Sequence, residues 1–351
     1  MTMKLNKIAV AGDFQFDLYP SLSRPDERFG TSRLRDIVEA TEWVIDTATD
    51  NQCSALVMLG DIFNNRSAID LRVIDAVGHC MDYAKSVGLP IYALVGNHDA
   101  YLRDTRVTSL RAIAGYATVI DKPCNLNVGG TPCAFVPWVD DHDEIREHLD
   151  TVLSVNPSVL FGHALVEGAT MSDRALPLSW FKDAPTTIFG DVHEPGQYGK
   201  VQYIGSPLQL NFGDAGGERG MAILHCKGKN VAVKTIRNIH SPRFRVIEDD
   251  GESQIILRDI REVDYVRVKT EDPEIVESVR ERVPMHTHVE STALDLEDLQ
   301  PRLNVSVRDS HETVIKQYVG KYADELELEP NHPLRARLIK VGRELLEEAN
   351  Q

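Results

Sequence analysis

Ile91-Tyr92-Ala93-Leu94-Val95-Gly96-Asn97-His98-Asp99 is an apolar run ending in a glycine and three side chains able to ligate a metal or move a proton. The run is short and rich in aliphatic residues, which suits a buried strand better than a helix. The same pattern recurs. Ile8 to Ala11 leads into Gly12-Asp13-Phe14-Gln15, and Ala55 to Leu59 into Gly60-Asp61, with Asn64-Asn65-Arg66 close behind. Ser158 to Phe161 leads into Gly162-His163, and Thr186 to Phe189 into Gly190-Asp191-Val192-His193. Five strands thus each end in a glycine beside Asp, Asn or His. Sites in α/β sheets form at the carboxyl ends of strands, so these side chains are expected to converge.

Between these runs, Leu34, Ile37, Val38, Ile45 and Ala48 recur at helical spacing, as do Leu71, Ile74, Val77, Met81 and Ala84. Further strands are expected at Cys133 to Val136, Val201 to Ile204, Met221 to Leu224 and Val231 to Ile236. Early β-α-β alternation followed by closely spaced strands predicts an α/β fold with a sandwich of sheets flanked by helices, over residues 1–240. A small α+β module is expected at 241–291, with strands at Phe244 to Ile247, Ile255 to Leu257 and Tyr265 to Val268 and a helix face of Ile275, Val276, Val279 and Val283. Residues 292–310 are polar and acidic and read as a linker. Residues 311–351 read as a helical hairpin: Val314, Ile315, Tyr318, Val319 and Tyr322 mark one helix, and Leu334, Leu338, Val341 and Leu345 the next.

Apolar residues make up 42% of the 351-residue chain, enough for a substantial core, and no run reaches membrane-spanning length. Met1 to Leu5 has no apolar stretch of signal-peptide type. The five cysteines are odd in number and none are spaced C-x-x-C, so reduced thiols are expected and a cytoplasmic location with them. The formal charge of −16 argues against holding nucleic acid by bulk electrostatics. Metal ions, local arginine clusters or a basic partner can still supply the attraction.

A phosphate ester held between two metals ~3.5–4 Å apart needs a carboxylate shared by both, with oxygen and imidazole donors on either side. Asp61 suits the shared position. The glycines let backbone and metal approach closely. His98, adjacent to a ligand, suits proton transfer to a leaving oxygen. Singly each motif reads as an ordinary turn; the ordered set is what points to a metal site.

That ordered set resembles the calcineurin-like metallophosphoesterase superfamily. Gly60-Asp61-Ile62-Phe63, Phe135-Val136-Pro137-Trp138 and Tyr203-Ile204-Gly205-Ser206-Pro207 look further like the SbcD-type nucleases, and like the small subunit of T-even-like phage recombination endonucleases in particular. The resemblance covers nearly the whole chain. It implies a nuclease domain, a small capping domain and a hairpin that docks on an SbcC-type coiled-coil ATPase, in a homodimer within a heterotetramer. It implies Asp13, Gln15, Asp61 and His193 as ligands of one metal, and Asp61, Asn97, His163 and Asp191 as ligands of the other. His98 matches the catalytic histidine, with Asp99 expected to orient it. Tyr318, Tyr322, Leu334, Leu338, Val341 and Leu345 would contact the ATPase. The implied setting is a bacterial cell or a phage-infected host.

Gln15 and Asp191 stand where the family usually has histidine. Oxygen donors there favour harder ions, Mn²⁺ or Mg²⁺, over Zn²⁺. Arg24, Arg28, Arg33, Arg103 and Arg106 follow the first and third strands and are expected to hold DNA phosphates; solvated arginines paired with nearby acids are the plainer alternative. Met171 and Trp180 read as packing residues. The function expected is a Mn²⁺-dependent DNA exonuclease and endonuclease subunit. A small-molecule or protein phosphoesterase, or a weakened adaptor of the ATPase, are the alternatives.

Overall fold

Alternation along the first strand builds two cores at once. In β1 (Asn6–Ala11), Ile8 and Val10 enter one buried cluster while Ala9 and Ala11 enter another on the opposite face. The computed structural model describes residues 5–101, 107–172, 174–248, 259–270, 273–283 and 287–290, and beyond these Val319, 334–335 and 337–341. The chain divides into two units, Met1–Glu290 and Ser291–Gln351.

In the first unit, β1 is followed by a short ribbon, β2 (Pro25–Asp26) and β3 (Gly30–Thr31), then α1 (Ser32–Asp50), β4 (Leu56–Met58), α2 (Leu71–Ser86), β5 (Ile91–Leu94) and β6 (Ala117–Ile120). Next come β7 (Cys124–Val128), β8 (Thr131–Val136), α3 (His142–Leu153), β9 (Val159–His163), β10 (Thr186–Gly190), β11 (Gly196–Tyr198) and β12 (Val201–Tyr203). A long hairpin, β13 (Gly220–Lys227) and β14 (Asn230–Arg237), closes the body. One six-stranded sheet has the order β14-β13-β1-β4-β5-β6, and the other β11-β12-β10-β9-β8-β7. β1, β4, β5 and β6 run parallel in the first sheet; β8, β9, β10 and β12 run parallel in the second.

The sheets face each other through Ile8, Val10, Val57, Leu59, Leu94, Phe135, Phe161 and Ile188. Each such side chain contributes ~1.5–3 kcal/mol by leaving water, so this core holds the strand ends in register. α1 and α2 cover the outer face of the first sheet, and α3 covers that of the second. The Thr31, Asp70 and Asp141 side chains cap these three helices by accepting from Leu34 N, Arg72 N and Glu144 N. The expected α/β sandwich flanked by helices is the fold observed.

Some expectations shift. Helical spacing puts Leu71 and Ile74 on the inner face of α2, but they are 79% and 37% exposed; Val73, Ala76, Val77, Cys80, Met81 and Ala84 face inward instead. Met171 is fully exposed rather than packed. All five cysteines are free. Among the described residues, no helix is long and apolar enough to cross a membrane.

A smaller module follows: β15 (Phe244–Glu248), β16 (Tyr265–Lys269), α4 (Pro273–Arg282) and β17 (Thr287–Glu290), with the strands parallel in that order. Ile247, Val266, Val268, Val279 and Val283 form its core. The expected strand at Ile255 to Leu257 lies outside the described residues.

Arg33 fastens this module to the body, which corrects its expected role in DNA binding. Its side chain is fully buried. Nη1 pairs with Asp36 at 3.1 Å and Nη2 donates to Gln209 O at 2.9 Å, while the Phe244 and Tyr265 rings lie 5.0 and 5.1 Å from its guanidinium carbon. Tyr265 Oη donates to Asp36 at 2.6 Å. A desolvated cation beside this stacked pair of rings adds to the join, and its burial keeps it out of reach of a DNA phosphate. Arg24 and Arg28 are exposed; Arg28 lies over the Phe29 ring and bonds His79 at 3.2 Å. Arg103 and Arg106 lie outside the described residues.

In the second unit, Leu334, Arg335, 337–340 and Val341 are helical, and Leu334, Leu338 and Val341 are each more than a third exposed. Tyr318, Tyr322, Leu345 and the expected linker lie outside the described residues.

Candidate metal centre

Because β1, β4 and β5 run parallel in one sheet and β9 and β10 run parallel in the other, their carboxyl ends meet at one edge of the sandwich. The loops there are laced together. Asp13 N donates to Gly60 O, Gln15 N to Asp61 O and Phe16 N to Ile62 O, at 3.1, 2.9 and 2.8 Å. Asp191 N donates to Asp13 Oδ1 at 3.0 Å, joining the second sheet to the first.

The backbone is strained at the same place. Asp13, Gln15, Asp61 and Asp191 have φ of 54°, 47°, 50° and 96°. Non-glycine residues seldom adopt this left-handed region, and strain of this kind gathers at functional sites. Two glycines make room for His163. A Cβ on Gly96 would stand 2.2 Å from Asp61 Oδ1 and 2.9 Å from His163 Cε1. One on Gly60 would stand 2.5 Å from His163 Nδ1.

His163 Nδ1 donates to Leu59 O at 2.7 Å, which leaves Nε2 facing the cluster. Nε2 lies 2.8 Å from Asn97 Oδ1, 3.4 Å from Asp61 Oδ1 and 3.8 Å from Asp191 Oδ1. The Asn97 amide can serve either way. With Nδ2 inward it donates to Asp61 and Asp191; with Oδ1 inward it is one more ligand atom. Ligand atoms of Asp13, Asp61 and His163 all lie within 4.8 Å of one another, and buried Asp13 Oδ2 has no hydrogen-bond partner. A buried cluster of acceptors with an orphaned carboxylate oxygen fits a cation.

His193 approaches from the other side. Its Nε2 lies 3.1 Å from Gln15 Nε2 and its Nδ1 lies 3.7 Å from Asp214 Oδ1. Asp214 also pairs with Arg219 at 3.1 Å and accepts from Leu210 N at 2.7 Å. Burial alone would raise the Asp214 carboxyl, but its bonds with His193 and Leu210 and the Arg219 charge hold it at about 2. Asp214 is absent from the expected site; Gly213-Asp214 repeats the informative dipeptide, but inside a 3₁₀ turn (Phe212–Asp214) rather than after a strand. Partners that fix a ligating histidine typically matter 10–100-fold. Asp214→Asn is therefore expected to weaken Mn²⁺ binding or turnover by ~10–100-fold. Unchanged Mn²⁺ titration and unchanged turnover would show that Asp214 does not orient His193.

His98 donates from its backbone N to Asp61 Oδ1 at 2.8 Å, and its Nδ1 bonds Asn64 O at 2.7 Å. The second contact orients the ring and leaves Nε2 as the exchangeable nitrogen. Asp99 does not orient His98, contrary to expectation. Its buried carboxylate instead accepts from Gly96 N at 3.0 Å and from Ile62 N and Phe63 N at 3.1 Å, clamping the β4 and β5 loops together.

Burial foremost, then the neighbouring Asp13 and Asp191 charges working against His163, raises Asp61 from 3.8 to about 7. Burial and the Asp61 charge raise Asp99 likewise to about 7. Burial pulls His163 down, but Asp61, Asp191 and Asp13 outweigh it and bring the ring to about 9. The metal-free fold therefore binds protons that the unfolded chain has lost. The carboxylate contribution to stability is full below pH 3.8 and vanishes as pH rises through about 7; that of His163 is lost as pH rises through about 9. A cation competes with these protons. Thermal unfolding with and without Mn²⁺ should show a gap in Tm that widens from about pH 5 to about pH 8. A gap independent of pH would place the cation away from these groups.

Residues 6–233 match the calcineurin-like phosphoesterase family, a stretch that contains all of the clustered residues. The chain belongs to the calcineurin-like phosphoesterases. As such it is a hydrolase of phosphate esters, and the family's use of divalent metals agrees with the acceptor cluster of Asp13, Asp61 and His163. This calcineurin-like phosphoesterase is similar to "Exonuclease subunit 1" of Enterobacteria phage T4, at 24% identity over 332 residues, 90% of this chain and 93% of that one. It is also similar to the SbcD chain of the SbcCD nuclease of Escherichia coli K12, at 22% identity over 250 residues, 57% of this chain and 62% of that one. Among solved structures, a dimetal phosphatase from Danio rerio aligns with a TM-score of 0.43 and 12% identity, over 66% of this chain and 96% of that one.

Proposed function

We propose that this phosphoesterase is the nuclease subunit of a DNA-end-processing complex, hydrolysing phosphodiester bonds as exonuclease and endonuclease together with an SbcC-type ATPase. The observation that carries the reading is the reach of the phage likeness. It spans 332 residues and so must run past residue 233, where the phosphoesterase match stops, into the small module and beyond. In this reading residues 1–240 are the nuclease domain, 241–291 cap it, 292–310 link, and 311–351 dock on the ATPase.

Asp13, Gln15, Asp61 and His193 would hold one divalent ion, and Asp61, Asn97, His163 and Asp191 the other, with Mn²⁺ preferred and Mg²⁺ next because most donors are oxygen. Two such ions, when bound, supply Lewis acidity toward the phosphoryl oxygens and an acidified water. The chain's own part is separate. Asp99 sets the spacing of the two loops. Leu59 O and Asp214 turn His163 and His193 toward the cluster. His98 Nε2, left free by the Asn64 carbonyl, delivers a proton to the departing sugar oxygen. A cytoplasmic setting and a dimer bridged with two ATPase subunits belong to the same reading.

The deciding assay measures cleavage of linear duplex and single-stranded DNA in Mn²⁺, with and without the ATPase. Hydrolysis of small phosphomonoesters in the absence of any DNA cleavage would favour a small-molecule phosphoesterase.

Leu334, Leu338 and Val341 stand at helical spacing and are exposed, as expected of a face that a partner groove covers. Truncation near Ser310 should leave a folded Mn²⁺-binding chain that no longer co-purifies with the ATPase. Undiminished co-purification would locate the dock elsewhere.

A further inference from the structure

Away from the metal centre, a cavity of about 360 Å³ opens between the glycine-rich turn at Gly216-Gly217, the end of β14 and the start of the small module. Arg219, Arg237, Arg243, Arg245 and Arg261 all line it. We propose that this cavity holds a phosphate group.

The charge count is the first reason. Arg219 is anchored by Asp214 at 3.1 Å, Arg245 by Asp259 at 2.6 Å, and Arg237 by Glu218. Arg243 and Arg261 share Asp264, each at 2.8 Å, and Arg243 also reaches Asp259 at 2.9 Å. Among the described residues, four carboxylates thus serve five guanidiniums, which leaves one positive charge uncompensated there in a chain whose net charge is −16. The second reason is unspent donors. The Nε of Arg219 and of Arg245 are both buried with no acceptor among the described residues, and Arg219 as a whole is only 7% exposed. Buried N–H groups without acceptors are costly and uncommon. The third is ligand chemistry. Guanidinium forks match the several oxygens of a phosphate, and two glycines in the wall let its backbone approach closely.

One side chain behind the cavity wall links it to the metal centre. The Asp214 carboxylate that anchors Arg219 is the one facing His193. A phosphate drawn to Arg219 is therefore connected, through one carboxylate, to a metal-facing imidazole. The phosphate comes from the DNA backbone or is free in solution. The first source rests on the nuclease reading; the site itself does not.

The test uses the full chain in EDTA, where the metal centre neither binds phosphate through metal nor turns over. Thermal unfolding is measured with inorganic phosphate, with a single-stranded oligonucleotide and with sodium chloride at equal ionic strength. The expected result is an upward shift of a few degrees with phosphate or oligonucleotide over chloride, lost in the Arg237→Gln/Arg245→Gln variant. A shift with oligonucleotide identifies the DNA backbone as source, and a shift with phosphate alone identifies the free anion. No shift with either, or an equal shift in the variant, overturns the proposal. Should the variant not fold, phenylglyoxal labelling of the wild type decides. Phosphate must slow modification of Arg237 and Arg245, and unchanged rates overturn the site. Because no step requires catalysis, failure of the nuclease reading leaves the phosphate result standing.

Discussion

Asp61→Asn is expected to abolish phosphodiester hydrolysis and the response of the protein to Mn²⁺ while preserving the fold. Asp61 is the carboxylate that both proposed metal positions share, lying 3.4 Å from His163 Nε2 and accepting from His98 N at 2.8 Å. Asparagine tolerates its φ of 50° and keeps an oxygen for the His98 amide, so the loop should survive. What disappears is the negative charge that a pair of cations requires between them. The metal-free variant should be no less stable than the metal-free wild type, because the substitution removes one of several buried acids crowded together. Activity is read on a linear duplex and metal by the Mn²⁺-induced rise in Tm. Substantial cleavage by Asp61→Asn, or an undiminished Mn²⁺ effect, would remove Asp61 from the bridging position.

His98→Ala is the second large effect, and its signature differs. The ring's Nδ1 is held by a main-chain carbonyl, while the residue's contact with Asp61 is through its backbone N, which alanine retains. Turnover should fall by ~10²–10⁴-fold, the usual consequence of deleting a positioned proton donor. Mn²⁺ titration should scarcely change. The loss should shrink on substrates whose leaving group is a weak base, such as a p-nitrophenolate, since these need little protonation. A variant that loses its metal along with its activity would make His98 a ligand instead.

Much of the site is legible in the sequence because its parts sit at strand ends, where a short apolar run and a following glycine announce themselves. Asp13, Asp61, Asn97, His163 and Asp191 are brought together from five strands of two sheets by that grammar alone. What orients them is not legible. Leu59 O and Asn64 O, which turn His163 and His98, are backbone atoms that any residue would offer. Asp99 reads as a partner of its neighbour His98 because the two are adjacent in sequence; its real partners are amide groups 36 and 37 positions earlier and one 3 positions earlier. Arg33 misleads for a similar reason. Apart from Asp36, the groups that hold and cover it, Gln209, Phe244 and Tyr265, lie more than 170 residues away. α3 is hard to see although Ile145, Leu149 and Val152 form a regular inner stripe, because the rest of it is charged and solvated.

The left-handed backbone at Asp13, Asp61 and Asp191 inverts the ordinary scale of chemical similarity there. Glutamate keeps the charge and would be the mild replacement at most carboxylate sites, yet it is poorly suited to positive φ and its longer arm would not fit. Asparagine and glycine suit the backbone but abandon the charge. A codon library at these positions screened only for soluble protein should therefore drift toward asparagine and glycine. One screened for phosphodiester cleavage should return aspartate. The gap between the two harvests measures how much conformational comfort the protein forgoes to keep three carboxylates at one edge of a sandwich.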